Sequence, residues 1–471
     1  MGSISSSLLS SSNAANSIDL SSILEAATGS STPGIDVTEA VNAAVTAAEA
    51  PEDTWQSQES TLSSQSSALT AIQTAATALD NDAQALNSLT GSLSSTTVSS
   101  SNSNLVTATA ASGAAIGNNV IVVNNLANTA SFASDAVASG TTDLPAENIT
   151  ITPSGGTATT ITTGNGVDTL TDLVNAINSS GAGVTANIIT DASGSQLSIV
   201  SNTSGSAGAF AVSSTGSFGF TQGNAGLNAA LTVNGIAITS ASNTVTGAIP
   251  GLTLNLLGAS PGTPVSLSVA PDTNAASTAI NQFVTDYNTL IGDLNTQFTD
   301  TSGSGQGPLA QDPTVQSLQS DLLGALGFTS TTGSGSGATT TSLASLGITV
   351  NTDGTLSVNS STLNDALTNN FSSVQNFFQG TSLNGFANSL NQQLTSFISP
   401  ADGAFTVDLQ SMQTDFTGLQ TDITNFQNNV ITPLKAQLQT QFSDAEIALQ
   451  QLPVELKDVD EELGINNSSN N

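Results

Sequence analysis

Apolar residues return every three or four positions near both ends of the chain and every second position, in short runs, through its middle. The first helical pattern carries Val37, Val41, Ala44, Val45 and Ala48 on one face. Pro51 followed by Glu52 and Asp53 then signals a new helix start, with proline tolerated in the first turn and acids favoured at the positive end of the dipole. From there Trp55, Leu62, Leu69, Ala76 and Ala83 repeat at seven, with Ile72, Leu79, Leu86 and Leu93 in the companion position and Gln58 and Gln65 interrupting early. This seam of about forty residues needs a partner, either another coiled-coil strand or the interior of a bundle. The last stretch is similar: Leu409, Met412, Phe416, Leu419, Ile423, Phe426, Val430, Leu434, Leu438, Phe442, Ala445, Leu449 and Leu452 step by threes and fours. Consecutive fours from Phe426 to Phe442 make the stripe drift around the helix. Pro433 is expected to kink the helix there, and Pro453 to end or bend it.

Between the helical ends, from Ser94 to about Ala270, runs such as "NNVIVVNNLA", "ENITITP", "QLSIVSN" and "ALTVNGIAITS" are punctuated by Gly, Asn and Ser and read as strands. One helix interrupts them, with Leu170, Leu173, Val174 and Ile177 on its face. Asn234-Gly235 marks a tight hairpin turn. The helical period resumes after Asp272 or Thr273, either of which fits a cap, with Ile280, Phe283, Val284, Tyr287, Leu290, Ile291, Leu294 and Phe298 inward. A second hairpin is predicted at "LGITVNTDGTLSVN", turning at Asp353-Gly354, before a helix bearing Leu363, Leu367, Phe371, Val374, Phe377 and Phe378. The predicted class is a multidomain α+β protein. Its parts are a disordered segment at 1–33, leg helices and part of a helical domain at 34–95, and a β-rich head at 96–271 of two small domains, one inserted in the other. A helical domain with a hairpin follows at 272–404, then a C-terminal leg helix and tail at 405–471.

Composition narrows the function. The chain has 471 residues, 35 carboxylates and two cations, Lys435 and Lys457, for a net charge of −33. Nucleic acid and anionic membrane surfaces both need clustered cations and are excluded as partners. There is no Cys and no His, so neither a Cys/His metal site nor a Ser-His or Cys-His nucleophile pair exists. The carboxylates are scattered and no spacing selects an acid/base pair, so the chain does not read as an enzyme, and no cofactor is expected. "NTDG" fails as a calcium loop, which needs its Gly at the sixth position and a Glu at the twelfth. No run of about 18 apolar residues indicates a membrane span, and the first residues lack the charged and apolar regions of a cleaved leader.

Several segments resemble the flagellar filament cap family (FliD, hook-associated protein 2). "PGIDVTEAVNAAVTAAEAP" at Pro33–Pro51 looks like the family's opening segment. "LVTATAASGAAIGNNVIVVNNLANTASFAS" resembles its first β segment, with the Val-x-x-Leu-Ala element at Val123–Ala127. "SNTVTGAIPGLTLNL", the Phe283–Leu290 helix "FVTDYNTL" and "LGITVNTDGTLSVNSSTLNDALTNNFSSVQNFF" look like later family blocks, in family order. The resemblance implies a ring, usually of five copies, at the distal end of a bacterial flagellar filament. There the cap promotes flagellin polymerisation and keeps unpolymerised flagellin from leaking away. It also implies secretion by the flagellar type III route, flagellin and other copies of the chain as partners, and contact with hook–filament junction proteins before the filament grows. The helix stripe expected to meet flagellin or neighbouring copies is Trp55, Leu62, Leu69, Ile72, Leu79, Leu86, Phe416, Leu419, Ile423, Phe426, Val430, Leu438 and Phe442. These stripes are expected to be incompletely buried in the free subunit. The alternatives are a tip adhesin for glycans, weakened because the single Trp and Tyr lie in helical segments, and an acidic secreted surface protein. The scarcity of Lys and Arg departs from the family and leaves ring register to shape and apolar contact; carboxylate repulsion would relax near about pH 3–4.

Overall fold

A computed structural model describes residues 37–299, 305–333 and 339–462; the expected disordered segment 1–33 lies outside the described residues. Two helices open it, α1 (Val37–Ala48) and α2 (Ala50–Asn87), with Pro51 in the first turn of the second as its position predicted. The next helix, α3 (Leu170–Ser179), lies within the β region and starts with a capping box in which Thr169 and Asp172 satisfy each other's backbone donors. Six more helices, α4 (Thr273–Phe298), α5 (Pro313–Ala325), α6 (Ser360–Asn369), α7 (Phe371–Phe378), α8 (Phe386–Ile398) and α9 (Ala404–Phe426), come after the β region. The last, α10 (Thr432–Glu462), runs to the end of the described residues.

The largest core belongs to a helical body. The C-terminal half of α2 supplies Leu69, Ile72, Leu79 and Leu86; α4 supplies Ile280, Phe283, Tyr287, Leu290 and Leu294, as its period foretold. Asp272 caps α4, its Oδ1 accepting the Ala275 N–H at 2.9 Å. Phe377, Phe378 and Phe386 complete an aromatic centre around Phe283. Two small hairpins flank it, β16 (Thr329–Thr332) with β17 (Thr339–Ser342), and β18 (Ile348–Val350) with β19 (Leu356–Val358). The second turns at Asp353-Gly354, where Gly354 holds φ 83° and Asp353 Oδ1 accepts the Thr355 N–H at 3.0 Å.

The β region forms two cores, one nested in the other. The outer one joins two antiparallel sheets. The first runs β1 (Thr96–Ser100), β15 (Val265–Pro271), β3 (Gly117–Asn125), β11 (Ala229–Val233), β12 (Ile236–Ser240). The second runs β13 (Thr244–Ile249), β14 (Leu252–Leu256), β2 (Val106–Ala110). Alternate residues Ile121, Val123, Leu231, Leu254, Val265 and Leu267 point into the space between them. Asn234 and Gly235, at φ 51° and 84°, turn β11 into β12. At Pro250-Gly251 the chain turns from β13 into β14; Gly251 sits at φ 77°, where a Cβ would also lie 3.0 Å from Ala114. Between β3 and β11 the chain builds the inner core from β10 (Phe220–Asn224), β4 (Thr129–Ser134), β8 (Gly194–Ser204), β7 (Val184–Asp191) and a sheet of β6 (Thr159–Thr162), β5 (Asn148–Pro153), β9 (Phe210–Ser214). Leu170, Leu173 and Ile177 of α3 close it over Ile149, Ile151, Leu197 and Ile199.

Head and body meet where α2 ends. The Gln379 amide donates to the carbonyl of Leu86 (3.1 Å), which the end of the helix leaves without a donor, and to that of Ser88 (3.0 Å), which also accepts the Gly91 N–H at 3.1 Å. Gln375 does the same for Leu93 at 3.1 Å, and the Asp272 N–H bonds Ser95 O at 3.0 Å. The exit from the body and the return to it are thus tied together.

Candidate assembly interface

The two ends of the described chain pair into one leg. Val41 and Val45 of α1 are buried with Ile431 against Phe426, Leu438 and Phe442, while Ala40 and Ala44 pack on Leu438 and Phe442. Alanines on one face let α1 approach α10 closely. Below this contact α9 lies along α2. Trp55 and Phe426 meet edge to face with centroids 5.4 Å apart, and the Gln420 amide donates to Glu59 at 2.9 Å. The Gln427 amide donates to Glu52, a carboxylate that also accepts from Gln56 at 2.9 Å. These cross-helix links join amide to carboxylate, as a chain with two cations requires.

The expected contact stripe divides into three. Leu69, Ile72, Leu79 and Leu86 are closed off from partners, because α4 and α8 cover them within the chain's own body. The sequence pattern showed that this face is buried, and a bundle interior gives the same heptads as a coiled coil. Trp55, Leu62, Phe416, Leu419, Ile423, Phe426, Leu438 and Phe442 are half-buried on the leg. Val430 is 45% exposed, and its neighbour Ile431, missed by the sequence reading, is 4% exposed.

Pro433 explains this exchange. It has no N–H to give and its ring would strike the carbonyl four residues back. Residues Gln427–Ile431 form a π-helical turn there, and the Thr432 N–H reaches back to Gln427 O. The wider turn absorbs one extra residue, so Ile431 takes the inward place that steps of four gave to Val430. The expected kink is therefore a π-bulge, and Pro453 does not end α10, which continues to Glu462. Ile431→Asp is expected to weaken the docking of α1 by about 2–4 kcal/mol, the cost of a carboxyl in an apolar contact. Val430→Asp should change it by less than about 0.5 kcal/mol. Amide exchange of residues 37–48 measures both, and equal effects would contradict the phase assigned to the bulge.

Beyond Phe442, α10 has no apolar cover among the described residues. Ile447, Leu449, Leu452, Val454, Leu456 and Val459 are 46–60% exposed. These open aliphatic side chains are concentrated at one end of the described chain. No described helix is long and apolar enough to cross a membrane.

Comparison with known proteins bears on this geometry. Residues 226–453 match the family model for the flagellar hook-associated protein 2 C-terminus, and residues 33–130 that for its N-terminus. Residues 148–203, within the inner β core, match the flagellin hook IN motif. The chain is 28% identical over 386 residues to the B-type flagellar hook-associated protein 2 of Pseudomonas aeruginosa, covering 73% of this chain and 78% of that one. It also resembles the crystal structure of the D1-D2-D3 domains of the flagellar cap protein FliD from Escherichia coli. The TM-score is 0.56 at 27% identity, over 74% of this chain and 99% of that one.

Proposed function

Since the chain belongs to the flagellar hook-associated protein 2 family, we propose that it caps the distal end of a bacterial flagellar filament, promotes flagellin polymerisation there and stops unpolymerised flagellin from escaping. The observation that carries this reading is the paired leg, whose far end leaves the apolar side chains from Ile447 to Val459 uncovered among the described residues. The stripe that meets flagellin or a neighbouring copy is the half-buried and exposed part of the leg: Trp55, Leu62, Phe416, Leu419, Ile423, Val430 and the open end of α10. The β region at 96–271 is the head that closes the channel, the helical body at 272–404 carries it, and 34–95 with 405–471 supply the leg. Five copies form the ring, and the subunits leave the cell by the flagellar type III route. Adhesion gains no support from the rings that stack best on sugars. Tyr287 is fully buried in the body and Trp55 faces Phe426 on the leg.

Growth on filament seeds tests the reading. Full-length protein added with monomeric flagellin should be found at one end of each filament and should increase the fraction of flagellin that polymerises. Label spread along filament sides, or growth indifferent to the protein, would overturn it.

A further inference from the structure

The acidity of the chain has a structural counterpart inside the body. Asp82 on α2 and Asp286 on α4 bring their carboxyl groups within hydrogen-bonding reach across two packed helices. Two carboxylates offer only acceptors, so a bond between them needs a proton. Asp82 Oδ2 is buried and has no hydrogen-bond donor among the described residues. Gln282 already gives its amide to Asp286 Oδ2, at 3.1 Å.

The surroundings supply no cation. The helices packed on α2 are α1, α4, α8 and α9. Their ionisable groups are Glu39 on α1, Asp286, Tyr287 and Asp293 on α4, none on α8, and Asp408, Asp415 and Asp422 on α9. Asp80, beside Asp82 on α2, accepts from Asn391 and Gln84, both at 2.6 Å. Both lysines lie on α10.

We propose that Asp82 and Asp286 form a proton-dependent clamp that binds the leg-bearing helix α2 to the body and tightens as the surroundings turn acidic. Burial, followed by the bond and the repulsion from Asp286, pushes the Asp82 carboxyl up to about 7. In the unfolded chain it titrates near 4. Between these values the folded state holds a proton that the unfolded state lacks, so stability is gained as pH falls from about 7 to about 4 and lost as pH rises. The other links can tolerate the same change. Glu52–Gln427, Glu59–Gln420 and Asp80–Asn391 pair carboxyls with amides, and a protonated carboxyl keeps an acceptor oxygen for the amide N–H and gains an O–H that can donate to the amide carbonyl. A leg cross-linked by ion pairs would lose those bonds in acid.

Thermal unfolding of the full chain at pH 7.5, 6 and 4.5 tests the clamp. The Tm of the wild type should rise by several degrees on acidification. Asp82→Asn should raise Tm at pH 7.5 and remove much of that rise, and Asp286→Asn should do likewise, with the double variant adding little. Asp415→Asn, which removes the same charge from an exposed place on α9, should keep the wild-type pH dependence. A wild-type Tm that falls on acidification would refute the clamp, as would an Asp82→Asn variant with the full wild-type rise. Failure of both single variants to fold at pH 7.5 would refute it too, because loss of the charge should help there. The readout is folding of the body, so it is separate from the seed-growth test of capping.

Discussion

A chain ending after Ile431 is expected to fold its β head and helical body and to lose filament-end growth down to the level seen without the protein. The cut removes α10 with Leu438, Phe442 and the open stripe from Ile447 to Val459, and so takes away both the cover of α1 and the surface proposed for partners. The body core keeps all its buried members, the last of which is Phe405. The position of the cut matters. Removing everything from 405 onward would also take Phe405, which is fully buried, and Leu409 and Met412, which pack on the same core. Loss of growth would then be confounded with a damaged body, since emptying a large apolar site costs about 3–5 kcal/mol. Circular dichroism melting and seed growth on the shorter truncation separate the two. A truncated chain that still sustains elongation would place the flagellin contacts elsewhere.

The largest effect of a single substitution is expected at Phe386. Its ring stacks on Phe377 at 5.4 Å and meets Phe283 at 5.7 Å, Phe378 at 5.9 Å and Phe328 at 6.0 Å. It joins α8 to the α4 and α7 sides of the body. Phe386→Ala should destabilise the body by about 3–5 kcal/mol, from lost burial plus a cavity that the rings around it cannot collapse to fill, with the aromatic pairs adding to that cost. Phe386→Leu should recover much of it. Because the two β cores share no member with the body core, denaturant unfolding should show the body transition moving while the head transition stays in place. A loss below about 1 kcal/mol would mean that the aromatic centre repacks freely.

Elements whose signal is local were legible in the residues. Asp272 caps α4 because a short carboxylate before an apolar period has the backbone donors of the first turn within reach. Asn234-Gly235 and Asp353-Gly354 turn their hairpins because these residue types accept backbone angles that others resist. The alternation in "ALTV" and "LTLNL" gave two faces, and the inward one is the buried one. The leg was legible in part: a stripe at each chain end foretold burial there, and α1 and α2 do meet α9 and α10.

The amino-acid sequence by itself determined where helices and strands lie, which face of each is apolar, where many of the turns and caps fall, and that carboxylates must find partners other than cations. The tertiary structure alone decided what covers each face. One seam on α2 is split between body and leg, since its period records that water is excluded and is silent on the neighbour that excludes it. Tertiary packing likewise chose Ile431 over Val430, because a π-turn ahead of Pro433 shifts the phase of the helix, and set Asp82 against Asp286 across 203 intervening positions, a proximity that no local spacing encodes.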